Sequence, residues 1–282
     1  MTRSLSFRAT IVSFVLLIAF LGAWQLGTLP AAGGGAAATY ADPEYAALMG
    51  GAAAQASGLP SPGTVGETIA SQLANPFYDN GPNDKGIGIQ LAWSLARVLA
   101  GFLLAAAVAI PLGFVIGMSP LMYKALNPYI QIMKPISPLA WMPLALYTIK
   151  DASLSSIFVI FICSIWPMMI NTAHGVSSVK KDWLNVARTL EVSPLRTAIS
   201  VILPAAAPTI LTGMRISMGI AWLVIVAAEM LVGGTGIGYF VWNEWNNLNL
   251  SNVIFAIVMI GVVGMLLDMV FGVLTKLVTY QE

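Results

Sequence analysis

Charge is what this sequence has least of. Only 9% of its 282 residues are Asp, Glu, Lys or Arg, against about 25% in soluble domains; 58% are hydrophobic and the mean hydropathy is +0.83. Most of such a chain has no need of water. The formal net charge is +1, so the general basic field that nucleic acid requires is missing. There is one cysteine, Cys163, which rules out an internal disulfide. It sits in the apolar run FVIFICSIW and reads as a buried small hydrophobe. There is one histidine, His174, and no H-E-x-x-H, which excludes a zinc protease of that type. A Ser–His protease would have to use His174, which falls at a helix end, and no serine lies in a nucleophile motif. No G-x-x-x-x-G-K-[ST] occurs; the run Gly233–Gly238 has glycines without the lysine and reads as a turn. The chain therefore has no ATPase site or catalytic set of its own. Energy for any transport comes from another subunit or from an ion gradient.

What is present is long apolar sequence. A bilayer-crossing helix takes about 20 residues, and six stretches qualify: Ala9–Leu29, Leu91–Met118, Leu126–Ile149, Ser153–Thr172, Ala205–Leu231 and Val253–Leu274. The pattern predicts an all-α integral membrane protein with six transmembrane helices. The first stretch also suits a signal peptide, with Arg3 and Arg8 before it and small residues at Ala36–Ala41 as a cleavage site; its length favours a retained span. With the N-terminus inside, Arg3, Arg8, Lys124, Lys180, Lys181, Arg188, Arg196 and Lys276 fall on the cytoplasmic side, and Lys85 and Lys150 outside. That asymmetry places both termini in the cytoplasm.

The organisation expected is an N-terminal tail and first span (1–30), an outer segment (31–88) and a five-helix core (89–282) with a cytoplasmic loop at about 173–204. The outer segment opens with AAGGGAAA, is acidic through Asp42, Glu44, Glu67, Asp79 and Asp84, and has capping-box spacing at Thr64–Glu67. A short helix stopped before Pro76 is expected there, as a surface lid without chemistry. In the cytoplasmic loop, Leu184, Ala187 and Leu190 share a helical face, a break follows at Glu191–Val192, and Ser193–Pro194 open a second helix. Such a helix–break–helix suits partner docking or a plain connector. If it docks, the apolar face is expected to find its cover on the partner. Gly113 and Gly117 make a GxxxG pair, and Gly261 and Gly264 add small residues to the last span, as close helix packing requires.

Ionisable residues inside the spans are functional candidates, because an unpaired one costs about 2.5–3.5 kcal/mol on insertion scales. Lys134 stands beside a Pro-broken stretch (Pro135, Pro138), and irregular backbone at membrane depth is tolerated where it lines a cavity. Lys134 is the leading candidate for attracting an anion. The alternatives are a snorkelling lysine or an ion pair with Glu229 or Asp268. Arg97 is a second candidate for the anion pathway; Arg97 and Arg215 lie nearer span ends, within snorkelling reach. Trp141, Trp166, Trp222, Trp242 and Trp245 read as packing residues or interface anchors.

The segment 185–204 resembles the signature loop of binding-protein-dependent ABC importer permeases, Glu-Ala-Ala followed by Gly and an Ile-x-Leu-Pro ending. In that register stand Asn185-Val186-Ala187, Glu191 and Val201-x-Leu203-Pro204. Asn185 replaces the usual Glu, and Glu191 the usual Gly. A Glu in the left-handed conformation costs about 1–2 kcal/mol, so a different backbone is expected at this break. Ser94–Val98 with Gly101-Phe102, Pro135–Leu144, Ala228–Met230, Gly236–Tyr239 and Leu267-Asp268 also resemble the family. GPNDKGIGIQ, IFVIFICSIWPMMINTA and GGTGIGYFVWNEWNNLNL resemble its nitrate/sulfonate/bicarbonate branch, and within it the nitrate permeases.

The resemblance implies a type I ABC importer permease fold in a bacterial inner membrane, translocating nitrate or nitrite. Bicarbonate, cyanate and alkanesulfonate remain alternatives within the family, and a gradient-driven secondary transporter outside it. It implies a loop (Leu184, Asn185, Val186, Ala187, Leu190, Glu191, Val201, Leu203, Pro204) that docks ATPase subunits. The implied partners are a second permease copy, two cytoplasmic ATPases holding ATP and Mg, an extracytoplasmic binding protein and the lipid bilayer. No cofactor is expected in this chain and no nucleic acid partner.

Overall fold

The computed structural model describes residues 2–28, 59–81 and 83–278. The Ala/Gly run, Asp42, Glu44 and the alternative cleavage site lie outside them, as does the Arg3 side chain. The described residues are helical throughout apart from turns and one isolated bridge, Asp79 with Lys85. Two compact units are distinguished: Met1–Asn75 with Glu244–Phe255, and Pro76–Asn243 with Ala256–Glu282.

In the first unit, α1 (Thr2–Thr28) is apolar all round. Leu5, Phe7, Val12, Phe14 and Leu16 are all exposed, the surface of a helix whose solvent is lipid rather than a protein core. Short α2 (Pro62–Ala74) starts where Pro62 supplies a preset φ at the first helical position and the Ser61 hydroxyl accepts from the Thr64 amide at 3.3 Å. The cap is therefore Ser61, three residues before the Thr64 that capping-box spacing suggested; Pro62 makes the earlier start favourable. The helix ends at Asn75, before Pro76, as its sequence predicts. A polar chain runs from Gln72 to Asn252 (3.3 Å) and on to Glu244 (2.7 Å).

The second unit is built around three long helices, α3 (Ile87–Met118), α6 (Ala152–Ser177) and α9 (Leu203–Val232), which pack against one another. Val98, Ala105, Ala109, Val159, Ile160, Ala206, Ala221 and Ile225 make the sealed contacts. The approach of α3 to α6 depends on small residues. A Cβ on Gly113 would meet the Met169 carbonyl at 2.8 Å, and one on Gly117 the Ala173 carbonyl at 2.6 Å. This is the GxxxG pair at work.

Between α3 and α6 the expected single span Leu126–Ile149 is two helices, α4 (Pro120–Met133) and α5 (Pro138–Ile149). Pro135 and Pro138 lack the amides an uninterrupted helix would use. Ser137, before Pro138, is extended (ψ 136°), as a residue preceding proline prefers. Neither half reaches across a hydrocarbon core of about 30 Å at 1.5 Å per residue. Five described helical segments are long and apolar enough to cross a membrane, not six: Phe7–Thr28, Ile87–Met118, Ala152–Ser177, Pro194–Val232 and Leu250–Val278.

After α6 come α7 (Lys181–Thr189) and one turn, α8 (Pro194–Thr197), which runs through a π turn at Ala198–Ile202 into α9. The wider turn stands immediately before Pro204, which has no amide to give the preceding turn. Finally α10 (Ile237–Asn246) and α11 (Leu250–Val278) follow the glycine turn at 233–236; both have residues in each unit.

Candidate functional site

Glu229, near the C-terminal end of α9, is 1% exposed and fully partnered. Ser94 of α3 donates to its carboxylate (2.8 and 2.9 Å), Arg97 pairs with Oε1 at 2.8 Å, and the Gly238 amide donates to Oε2 at 3.0 Å. Around this carboxylate the glycine turn is tied to α3. The Gly236 amide donates to Gln90 Oε1 (2.6 Å), the Ile237 amide to Ser94 Oγ (2.9 Å), and Arg97 Nη1 to the Thr235 carbonyl (2.6 Å). Arg97 Nε reaches Ser153 Oγ at 3.0 Å on α6. The glycines make this possible. Gly236 has φ +159°, and a Cβ there would overlap the Glu229 carboxylate; one on Gly238 would overlap the Val226 carbonyl. Low dielectric makes such a network costly unless complete.

Arg97 was a candidate for attracting an anion or for snorkelling. The structure turns it inward instead, where Glu229, Ser153 and the Thr235 carbonyl occupy its donors. Glu229 and Asp268 are both ion-paired, but neither with Lys134. Arg215 of α9 forms a two-pronged pair with Asp268 of α11, Nε to Oδ1 at 2.5 Å and Nη2 to Oδ2. Beside that pair, Trp222 donates to the Ile260 carbonyl at 3.0 Å, and Gly264 gives its indole room while Gly261 faces open space.

Lys134 makes no side-chain hydrogen bond or ion pair with any described residue. It stands at the break between α4 and α5 and lines two cavities. The larger, about 500 Å³, lies between α4 and the last turns of α3 and α6; the smaller, about 170 Å³, is walled by Trp141, Trp166, Pro167 and Ile220. Cys163 lines the smaller cavity and is half-buried, so it is a wall residue rather than the fully buried hydrophobe its surroundings in sequence suggested. Trp242 and Trp245 are exposed.

The loop 178–204 is at the end of these helices away from the glycine turn. Ala187 of α7 is 5% exposed, and Leu184 packs beside the cluster Val176, Ile202, Ala206 and Ile210. The expectation that Leu184, Ala187 and Leu190 form one face in need of a partner is thereby corrected. The chain's own core takes the first two and leaves Leu190 outside at 70% exposure, with Val186 and Leu195. Glu191 has φ +53°, so the left-handed break is kept without its glycine, contrary to the different backbone expected. The Val192 amide donates to the Ala187 carbonyl and the Glu191 amide to the Arg188 carbonyl, each at 3.0 Å. This Schellman closure satisfies the last carbonyls of α7 and offsets the strain.

A family model described as the inner membrane component of binding-protein-dependent transport systems matches residues 109–280, which hold the broken α4–α5 pair, the loop and the Glu229 clasp apart from its α3 residues. The chain belongs to this family. It is a permease subunit of an ABC transporter, a multi-pass inner membrane protein that is itself non-catalytic and works with ATPase and binding-protein partners. It is 48% identical over 228 residues to a nitrate import permease of Synechocystis sp., covering 81% of this chain and 83% of that one. It is 46% identical over 210 residues to a nitrate import permease of Leptolyngbya laminosa, covering 74% and 75%. A bicarbonate transport system permease of Synechocystis sp. is 44% identical over 207 residues, covering 73% and 74%. Among solved structures, the inward-facing MetNI methionine ABC transporter matches with a TM-score of 0.60 at 14% identity, covering 67% of this chain and 94% of that one. That likeness shows a shared fold.

In this permease, sequence reasoning missed the partners of Glu229. Gln90, Ser94 and Arg97 recur at four and three residues along an otherwise apolar α3, one helical face, and that spacing is the signal that could have found them. The residues of α4 that share the cavity with Lys134 were missed for a different reason: their helix was read as half of one continuous span.

Proposed function

We propose that this permease translocates nitrate, as one of two paired copies between two ATPase subunits and an extracytoplasmic binding protein. The broken α4–α5 pair supplies the sixth crossing, and both termini are cytoplasmic. The observation that carries the substrate is the 48% identity to a nitrate import permease over four-fifths of the chain; the bicarbonate relative, at 44%, makes bicarbonate the competitor to exclude. Lys134 supports an anion in either case. It is a cation without a partner among the described residues, at a break in the helix and on the wall of two cavities. A lone cation offsets part of an anion's desolvation cost without trapping it, which a conduit needs. Arg97, held by Glu229, serves the fold rather than the pathway. The exposed Val186, Leu190 and Leu195 are the surface offered to the ATPase.

Uptake in a strain lacking its own nitrate import, expressing the complete transporter, tests this. Labelled nitrate should enter in an ATP-dependent way and be competed by excess nitrate, not by bicarbonate or an alkanesulfonate. Lys134→Ala should cut uptake about tenfold with assembly unchanged, and Lys134→Arg should retain part of it. Bicarbonate uptake that nitrate does not compete would overturn the assignment.

A further inference from the structure

The larger cavity carries more than Lys134. Lys124, Asn127, Gln131 and Lys134 all line it from α4. Their spacing of three, four and three residues is one face of a helix, rising about 15 Å at 1.5 Å per residue, half the depth of a hydrocarbon core of about 30 Å. Opposite stand His174 and Ser177, from the last turn of α6. The lining contains no Asp or Glu. Neither lysine has a side-chain partner among the described residues, and Gln131 meets only Asn127, at 3.5 Å. Glu229 and Asp268, which the sequence offered as partners for Lys134, are engaged elsewhere, Glu229 by Arg97 and Asp268 by Arg215. An ordinary solvated helix face mixes charges of both signs at such spacings; this one holds only cations and amides. It runs from the end of the helices that bears the loop 178–204 up to the break, where the smaller, aromatic-walled cavity begins.

We propose that the Lys124–Asn127–Gln131–Lys134 face of α4, with His174 across from it, is an anion-holding vestibule on the loop side of the break, which receives a small inorganic oxyanion past Lys134 and passes it on toward the cytoplasm. This rests on the nitrate-permease reading for its direction of travel, but the anion selectivity of the cavity stands on its lining alone. Lys134 draws the ion to the break, the two amides donate along the way, and Lys124 with His174 make the exit favourable without a single deep well.

The test uses the assembled permease–ATPase complex in lipid nanodiscs, with Cys163→Ser as parent so that the only permease thiol is an introduced one. Gln131→Cys and, separately, Asn127→Cys are modified with an anionic and a cationic methanethiosulfonate of similar size. The anionic reagent should react at least about fivefold faster than the cationic one at both positions. Nitrate at high concentration should slow it, and adding Lys134→Gln or Lys124→Gln should bring the ratio toward that of a free thiol. Equal rates, or a faster cationic reagent, at either position would overturn the vestibule. Nitrate uptake by the Cys163→Ser parent is measured separately. An anion-selective cavity in a transporter that carries no nitrate would sink the substrate reading and leave the vestibule standing.

Discussion

Glu229 and Lys134 are both ionisable residues in apolar helices of one unit, and the chain treats them in opposite ways. Glu229 is sealed, with a hydroxyl, a guanidinium and a backbone amide around one carboxylate. The hydroxyl and the guanidinium also tie the glycine turn to α3, and the amide ties it to α9. Lys134 is left without a partner among the described residues, where the backbone is broken and two cavities open. A completed network fixes geometry and gives nothing to a passing ion. An incomplete one costs stability and keeps a charge available. The same division runs through the loop at residues 178–204: Leu184 and Ala187 are satisfied within the chain, while Val186 and Leu190 are left open.

The largest effect should come from breaking the sealed side. Glu229→Ala leaves Arg97 buried without a counter-charge, which costs about 3–5 kcal/mol. It should appear as a marked fall in the thermal resistance of the purified complex and in the yield of assembled permease. Lys134→Ala should shift stability by no more than about 0.5 kcal/mol. If Glu229→Ala is as stable as the parent, the clasp does not hold the turn and the contrast fails.

The loop gives an intermediate effect and sharpens the distinction. Ala187→Asp places a carboxylate in a sealed site and should cost about 1–3 kcal/mol, disturbing the loop itself. Leu190→Asp changes a residue already exposed; it should leave permease stability alone and weaken co-purification of the ATPase. Comparing thermal midpoints of the isolated permease with ATPase recovery separates the two. Equal destabilisation by both would mean that the inward and outward faces are wrongly assigned.

The smallest effect is at Glu191. Relieving a left-handed non-glycine residue yields about 1–2 kcal/mol, offset by about 0.5–1 kcal/mol of added backbone entropy in the unfolded chain. Glu191→Gly should therefore stabilise the permease by about 0.5–1 kcal/mol, read as a small upward shift in thermal midpoint. A downward shift would show that the Glu191 side chain contributes contacts that outweigh its backbone strain.

Composition and periodicity alone determined that this is an all-helical membrane protein without an ATPase site. Long apolar runs and missing motifs are local properties, readable one window at a time. The helix stop before Pro76, the Pro194 start and the GxxxG contact were legible for the same reason, since proline and glycine act on their own backbone. Tertiary structure decided which charge meets which. Glu229 lies 132 residues from Arg97 and 135 from Ser94 in sequence, and only the packing of α9 on α3 makes them neighbours. It also decided that Ala187 is buried and that Leu184 turns inward, against a cluster assembled from α6, the π turn and α9. The span read as continuous is α4 and α5 because Pro135 and Pro138 withhold the amides a continuous helix would use. Which side chains remain unpaired is fixed by everything folded around them, and that is why Lys134 could be named from the sequence while its lack of a partner among the described residues could not.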